Sequence, residues 1–570
     1  MRKQTKLVAV ASAAALLAIG ASMTSFAATG WTEEDGQWFF YDKDGNRVED
    51  EWKKSGDNWY WLDSEENGAM AIDKLVEDDD DTYYVDGNGV MVTNTWVKVV
   101  NEDQDEDDDP AEYHYYYMQS NGKAYKGNGT SVSKKTIDGK RYAFDEDGVM
   151  LYGWVSETGD MLNAEDEWQE AKYYFGGWED GAMKTGWQKI TVHDGENGKD
   201  DDYDYWFNFK SNGDKRAHAD ASDTWKSNNR YYHFDNRGVM VYQWAVTASG
   251  GDVNSASSWS YFNSPEDGAR VTNGWFKVVA PNEDNSFLES DDTFAKKDAD
   301  DEAERWYYSQ GKDEGLAVGK IKKIKGKYYG FYPDGTPKSG RMLTGLCALR
   351  MDGENIAEVV ASGMDSDDLD DFMDEYGNKS PEETGINLYY FGDGEDGSMK
   401  TGSVSFNLDG DNYQFNFKKT GGADTRGRGV HGIDDGKYIY KYGQKIKADT
   451  DDKYILVEAT GNINEENVTV VDYENEDIKH LADLKTITLK SDDKDEDDLK
   501  CRYGFGKNYY LVNTSGRIQT GTKSGVKDGY DMYWFMADDA IKFYADDKNV
   551  ADYAELKGNG WKTFFDNLDK

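Results

Sequence analysis

The sequence predicts an all-β fold: an elongated solenoid of stacked β-hairpin repeats with loop insertions and a divergent C-terminal part. Three observations point there. The 570 residues hold 40 Tyr, 23 Phe and 18 Trp beside 60 Gly, too aromatic for disorder and suited to a core of packed rings. One phrase recurs: a Trp, often after Gly, a polar turn, a cluster of aromatics, and a closing Gly and Met. Asp-Gly and Asn-Gly clusters separate the aromatic runs, which is turn chemistry between short strands. An isolated hairpin is marginal, so such units must stack and bury rings against their neighbours.

The copies follow one another along the chain. Trp31 leads to Trp38-Phe39-Phe40-Tyr41, and Trp52, 21 residues on, leads to Trp59-Tyr60-Trp61 and Gly68-Ala69-Met70. Tyr83-Tyr84-Val85 runs to Gly89-Val90-Met91, and Trp96 opens the next copy. Later copies carry Tyr142-Ala143-Phe144, Tyr173-Tyr174-Phe175, Trp206-Phe207-Asn208-Phe209, Tyr231-Tyr232-His233-Phe234, Trp259-Ser260-Tyr261-Phe262 and Trp306-Tyr307-Tyr308. The series continues at Tyr329-Gly330-Phe331-Tyr332 and Tyr389-Tyr390-Phe391, with weak copies at Tyr509-Tyr510-Leu511 and Tyr533-Trp534-Phe535. Roughly fourteen to sixteen such units make a repeat array.

Residues 1–27 are expected to be an export signal: Arg2, Lys3 and Lys6, then the apolar run Leu7 to Ile19, then Ser25-Phe26-Ala27 with small residues at the cleavage positions. Residues 28–342 carry the repeats, 343–383 an insertion, 384–449 further repeats and 450–570 the divergent region. In the insertion Ser366 is expected to cap a short helix with Leu369, Phe372, Met373 and Tyr376 on one face. The acidic run Asp105-Glu106-Asp107-Asp108-Asp109 reads as a solvated loop tip, as do the polar stretches His193 to Asp202 and Pro281 to Glu304.

A net charge of −47 argues against nucleic acid and anionic lipid as partners, since phosphates need clustered Lys and Arg. No later stretch is apolar enough to predict a transmembrane helix. Two cysteines make neither a disulfide framework nor a four-thiolate zinc site.

Gly-Trp, Gly-x-Trp-Tyr-Tyr, Gly-x-Met and Thr-Gly-Trp together resemble the cell-wall-binding repeats of Gram-positive bacteria, also called choline-binding repeats, with glucan-binding relatives. Gly181-Ala182-Met183-Lys184-Thr185-Gly186-Trp187 is a close match, and the likeness covers most of 30–420. The resemblance implies a hairpin solenoid with aromatic cages between consecutive hairpins. Each cage would use the opening Trp, the first aromatic of the strand cluster and a ring of the next hairpin. The pairs that satisfy this are Trp31 with Trp38, Trp52 with Trp59, Trp96 with Tyr115, Trp187 with Trp206, Trp225 with Tyr231, Trp244 with Trp259, and Trp275 with Trp306. Thr82, Arg141, Lys172 and Leu388 occupy the strand position elsewhere, and Leu75 an opening position, so those interfaces are expected to be structural only. A quaternary ammonium donates no hydrogen bond, and aromatic faces hold it at roughly 0.5–2 kcal/mol per ring.

No catalytic residue, metal site or cofactor is expected. None of His114, His193, His218, His233, His431 and His480 sits in a metal-ligand spacing, and His233 reads as core filler. No G-x-S-x-G elbow is present, and nothing supports Cys347 as a nucleophile. Asp42 to Gly45 resembles part of a calcium loop but reads better as a turn. The leading expectation is a secreted, non-catalytic protein held non-covalently on the cell wall, with choline-bearing or other wall polymers as partners. The alternatives are a host-facing adhesin or toxin-like array that binds host glycans, and a wall hydrolase of the amidase type, for which only 343–383 and 450–500 leave room.

Overall fold

The computed structural model describes residues 29–104, 110–195, 200–282, 284–287, 293–422, 424–461, 467–478, 481–492 and 497–568. The expected export signal, the acidic run 105–109 and His480 lie outside the described residues. Strands take 41% and helices 8%, so the protein is all-β, built from many small hairpin sheets with no closed barrel among the described residues. The chain divides into two compact units: residues up to 242 with 263–269, and 243–262 with 270 onward.

The first unit is a run of antiparallel hairpins. They pair Gly30–Glu34 with Gln37–Tyr41, Glu51–Ser55 with Asn58–Asp63, Lys74–Asp78 with Asp81–Val85, and Thr95–Val100 with Tyr113–Met118. Then come Lys135–Ile137 with Lys140–Tyr142, Trp154–Val155 with Tyr173–Tyr174, Gly186–Asp194 with Asp201–Phe209, and Trp225–Ser227 with Arg230–Tyr232. In the Gly186–Asp194 hairpin, Trp187 lies opposite Asn208 and Lys189 opposite Trp206, and Phe209 bridges to Lys215 beyond the turn. The residue three before the bridging position, here Trp206, will be called the wall residue, the next one the middle ring, and the bridged one the closing residue.

In several hairpins the turn before the closing residue has the same chemistry. The Asp86 carboxylate accepts from the Asn88 and Val90 backbone N–H groups, and Asp145 does the same for Asp147 and Val149. Asp42 accepts from Asp44 and Asn46, so Asp42 to Gly45 is a side-chain-closed turn, as its sequence suggests.

Consecutive hairpins are joined by one repeated backbone bond, from the closing N–H to the wall carbonyl of the preceding hairpin. It links Met91 to Trp59, Ala124 to Thr82, Met150 to Tyr115, Met183 to Arg141, Lys215 to Lys172 and Met240 to Trp206, at 2.7–2.9 Å. Because a main-chain bond needs no particular side chain, it persists at Thr82, Arg141 and Lys172, where the aromatic is lost. The closing Met then packs under the turn glycine of the next hairpin, as Met91 does under Gly122 and Met150 under Gly181.

The second unit begins with the same element. Gln243–Val246 pairs with Trp259–Phe262, Gly274–Val278 with Arg305–Gly311, and Ile321–Ile324 with Lys327–Gly330. Met342 N–H reaches the Trp306 carbonyl and Met399 N–H the Tyr328 carbonyl. Broader sheets follow. Leu346–Asp352 runs between Asn355–Ser362 and Ile386–Tyr390, and two five-stranded sheets have Gln444–Lys445 and Ala540–Ala545 as their central strands.

The helix expected in the insertion is Ser366–Tyr376, but its cap is Asp365, one residue before Ser366. The Asp365 carboxylate accepts from Asp368 N–H, and Ser366 instead bonds Asp409. Leu369 and Phe372 are buried, with Met373 and Tyr376 packed beside them, against Leu346, Ile386 and Phe415. A C-terminal helix, Trp561–Leu568, was not legible in the repeat pattern; it lays Trp561 and Phe565 onto Phe535 and Phe543.

Candidate functional site

The opening Trp of one hairpin meets the middle ring of the next with a constant geometry. In the first unit Trp31 faces Tyr60 at 5.3 Å and 73°, Trp52 faces Tyr83 at 5.1 Å and 61°, and Trp96 faces Tyr142 at 4.8 Å and 67°. Trp154 faces Phe207 at 5.0 Å and 67°, and Trp187 faces Tyr232 at 5.0 Å and 65°. In the second unit Trp244 faces Tyr307 at 5.1 Å and 77°, and Trp275 faces Tyr329 at 4.8 Å and 65°. The positive ring edge meets the negative ring face in each, so this contact is a packing device in its own right. The strand alternation explains it: the middle ring points to the opposite side from the wall residue, toward the preceding hairpin.

The wall residue adds a second ring where it is aromatic. Trp206 stands at 84° to Trp187 with centroids 6.3 Å apart, and Trp306 at 89° to Trp275 at 6.2 Å. All four indoles are half-buried. Each set is therefore a corner of two half-buried indoles backed by a third ring: Trp187 and Trp206 with the buried Tyr232, and Trp275 and Trp306 with Tyr329. Trp96, Tyr115 and Tyr142 occupy the same register, and Trp178 adds a ring 6.4 Å from Tyr115. Trp31 with Trp38 and Trp52 with Trp59 hold the same register as well, Trp59 being 40% exposed.

Two of the expected pairs do not form corners. Trp244 and Trp259 are wholly buried. Their indole N–H groups donate to the Val279 and Val253 carbonyls, and Phe294 from the 281–304 insertion packs on both rings. The insertion that reads as a loop tip thus covers this interface. Trp168, from the stretch between Trp154 and Tyr173, covers Trp154 in the same way.

The second departure is Trp225 with Tyr231. Trp225 pairs directly with Tyr232 and lies one residue past the opening position, which Thr224 fills. Its ring packs on Trp187 at 5.6 Å, with the Arg216 guanidinium 4.2 Å above it. Tyr231 holds the wall position without an opening Trp beside it.

Where the opening Trp is absent, another side chain takes its role. Lys134 sets its ammonium 4.0 Å from the Tyr173 ring and donates to the Asn212 carbonyl, while Leu75 packs against the core cluster that contains Tyr116.

The middle rings Tyr232 and Tyr329, Trp178, and the carboxylates at the wall indoles were missed by sequence reasoning. Glu266 accepts from Trp206 Nε1 at 3.0 Å and pairs with Lys189 at 2.9 Å. Glu395 accepts from Trp306 Nε1 at 3.3 Å and pairs with Lys277 at 2.8 Å. Hydrogen bonds from the lysine and then the indole hold both carboxyls below the usual range. Both glutamates sit in a Glu-Asp-Gly phrase, which was the available signal.

Elsewhere, a polar cleft of about 470 Å³ lies at Gly127 to Asn163, lined by Asp145, Glu146, Asp147 and Asp160. It contains none of the corner rings. Among the described residues no group of side chains is arranged to hold a metal ion, and no helix is long and apolar enough to cross a membrane. Cys347 and Cys501 are free and buried, and burial pushes both thiols up to about 12, which leaves neither as a ready nucleophile. His233 is buried beside His218, as core filler should be.

No protein-family profile matches the chain, and no curated protein matches it significantly. Solved structures do. The chain is similar to the modular autolysin LytC from Streptococcus pneumoniae, at 16% identity and a TM-score of 0.29, over 56% of this chain and 54% of that one. The match thus spans about half of the autolysin's length. It is similar to the choline-binding domain of CbpL from Streptococcus pneumoniae at 22% identity and a TM-score of 0.23, over 38% of this chain and 87% of that one. It is similar to choline binding protein F of the same organism at 15% identity and a TM-score of 0.20, over 74% of this chain and 100% of that one. The structures it resembles are mostly pneumococcal choline-binding proteins.

Proposed function

We propose that this chain is a secreted, non-catalytic protein that binds choline-bearing polymers of the bacterial cell wall through its open ring corners. The observation that supports the reading is the corner itself: two half-buried indoles at right angles and a third ring edge-on, at Trp187 and again at Trp275. Faces so arranged suit a trimethylammonium group, which water holds weakly and which needs no hydrogen-bond acceptor. Several weak corners on one chain would bind a polymer far more tightly than any one binds free choline. We read the stacked hairpins within each unit as a solenoid that sets the corners out in series.

The test is a choline titration of the purified chain followed by tryptophan fluorescence, beside release from isolated walls. Saturable quenching and release by free choline are expected. Walls that bind the chain but do not release it to choline, with quenching by neutral wall saccharides instead, would replace this reading with sugar stacking on the same rings.

A further inference from the structure

The lysine across the hairpin from the wall ring is a problem for a cation site. Lys189 pairs in register with Trp206, and Lys277 with Trp306. The Lys277 ammonium lies 5.9 Å from the Trp306 ring centroid. A bare ammonium there would repel a second cation at the same corner. In both units the same thing answers it: a Glu-Asp-Gly loop arriving from two hairpins further along the chain. In that phrase Glu266 and Glu395 meet the wall indole and its lysine. Asp267 pairs with Arg230, and Asp396 with Lys327, on the intervening hairpin. Gly268 and Gly397 sit over Met240 and Met342 of that same hairpin. Three successive residues thus fix the loop to two preceding hairpins, and the carboxylate is placed rather than merely nearby.

We propose that Glu395 and Glu266 are specificity-determining residues of the ring corners, cancelling Lys277 and Lys189 so that a cation can enter. The inference rests on the ring-corner reading above. It adds that a corner is complete only when its Glu-Asp-Gly loop is seated on it. Lys277 is the cleaner test, since among the described residues its one ion-pair partner is Glu395, with Glu304 the next acid acting on it. Lys189 also has Asp204 at 3.5 Å.

The experiment is fluorine NMR of the full chain labelled with fluorotryptophan, with the Trp306 signal assigned by its loss in Trp306→Phe. Choline and its uncharged carbon isostere are titrated separately. Glu395→Gln keeps an acceptor for the indole but uncovers the lysine, and should weaken choline at Trp306 by about threefold to tenfold at low salt. Lys277→Met leaves the carboxylate alone, and should tighten choline by a similar factor. The double variant should return close to the parent, and the isostere should change little in any of them. Shifts of the same direction in both single variants, or an isostere that follows choline, would mean the pair is only structural and would overturn the inference. Failure of the parent Trp306 signal to respond to choline at all would instead overturn the ring-corner reading, and this inference with it.

Discussion

Met150 and Gly181 meet where only a glycine fits: a Cβ on Gly181 would overlap the Met150 sulfur, and the backbone there has a φ of +55°. The same contact joins Met183 to Gly213, Met240 to Gly268, Met342 to Gly397 and Met399 to Gly427. The Gly-x-Met phrase is therefore two halves of successive joints, the Gly receiving the previous Met and the Met filling the next.

Gly181→Ala should destabilise the joint between its hairpin and the preceding one by about 1–3 kcal/mol, from the left-handed backbone and the overpacking together. Faster hydrogen exchange at the Met183 amide, which bonds the Arg141 carbonyl, would report it. Adding Met150→Ala should relieve the overlap but leave the backbone strain and open a void. An unchanged exchange rate in Gly181→Ala would show that Met150 moves aside freely.

Trp275→Ala and Trp244→Ala should separate binding from folding. Trp244 is fully buried, so its loss should cost about 3–5 kcal/mol of stability and leave the open corners intact where the chain still folds. Trp275 is only half-buried, so its loss should remove one ring face worth about 0.5–2 kcal/mol of cation affinity at that corner, with a smaller effect on stability. Thermal unfolding and choline titration of the two variants side by side make the comparison.

Lys215 stands in the closing position that Met fills in most hairpins. Its ammonium donates to the Trp168 and Gln169 carbonyls and lies 5.4 Å from the Trp154 ring. Burial pulls its pKa down from the lysine range to about 7. Between about pH 7 and pH 10.5 the unfolded chain then holds the proton that the folded chain releases, so this residue makes stability rise with pH across that window. Lys215→Met should remove that slope. Melting temperatures of the parent and the variant from neutral to alkaline pH should converge as pH rises; parallel curves would count against it.

Cys347 and Cys501 should resist alkylation in the native chain and both react once it is denatured, because both thiols are buried and raised. Intact-mass measurement after iodoacetamide under the two conditions distinguishes this from an exposed, reactive thiol.

The hairpins were legible in the sequence because strand alternation and turn chemistry are local: Asp86 closes its turn with bonds to residues two and four ahead. The register of Trp187 with Trp206 and of Trp275 with Trp306 was legible for the same reason, since both members belong to one hairpin. What the tertiary structure alone decided is which of these rings face water. Trp244 and Trp275 open their hairpins with the same residue, yet one is sealed by Phe294 from a 24-residue polar stretch and the other is left open. It alone also places Glu395 on Trp306, 89 residues apart. Local patterns fix backbone conformation because neighbouring atoms dictate it. Exposure and charge compensation depend on segments brought from elsewhere in the chain, and no local pattern carries that distance.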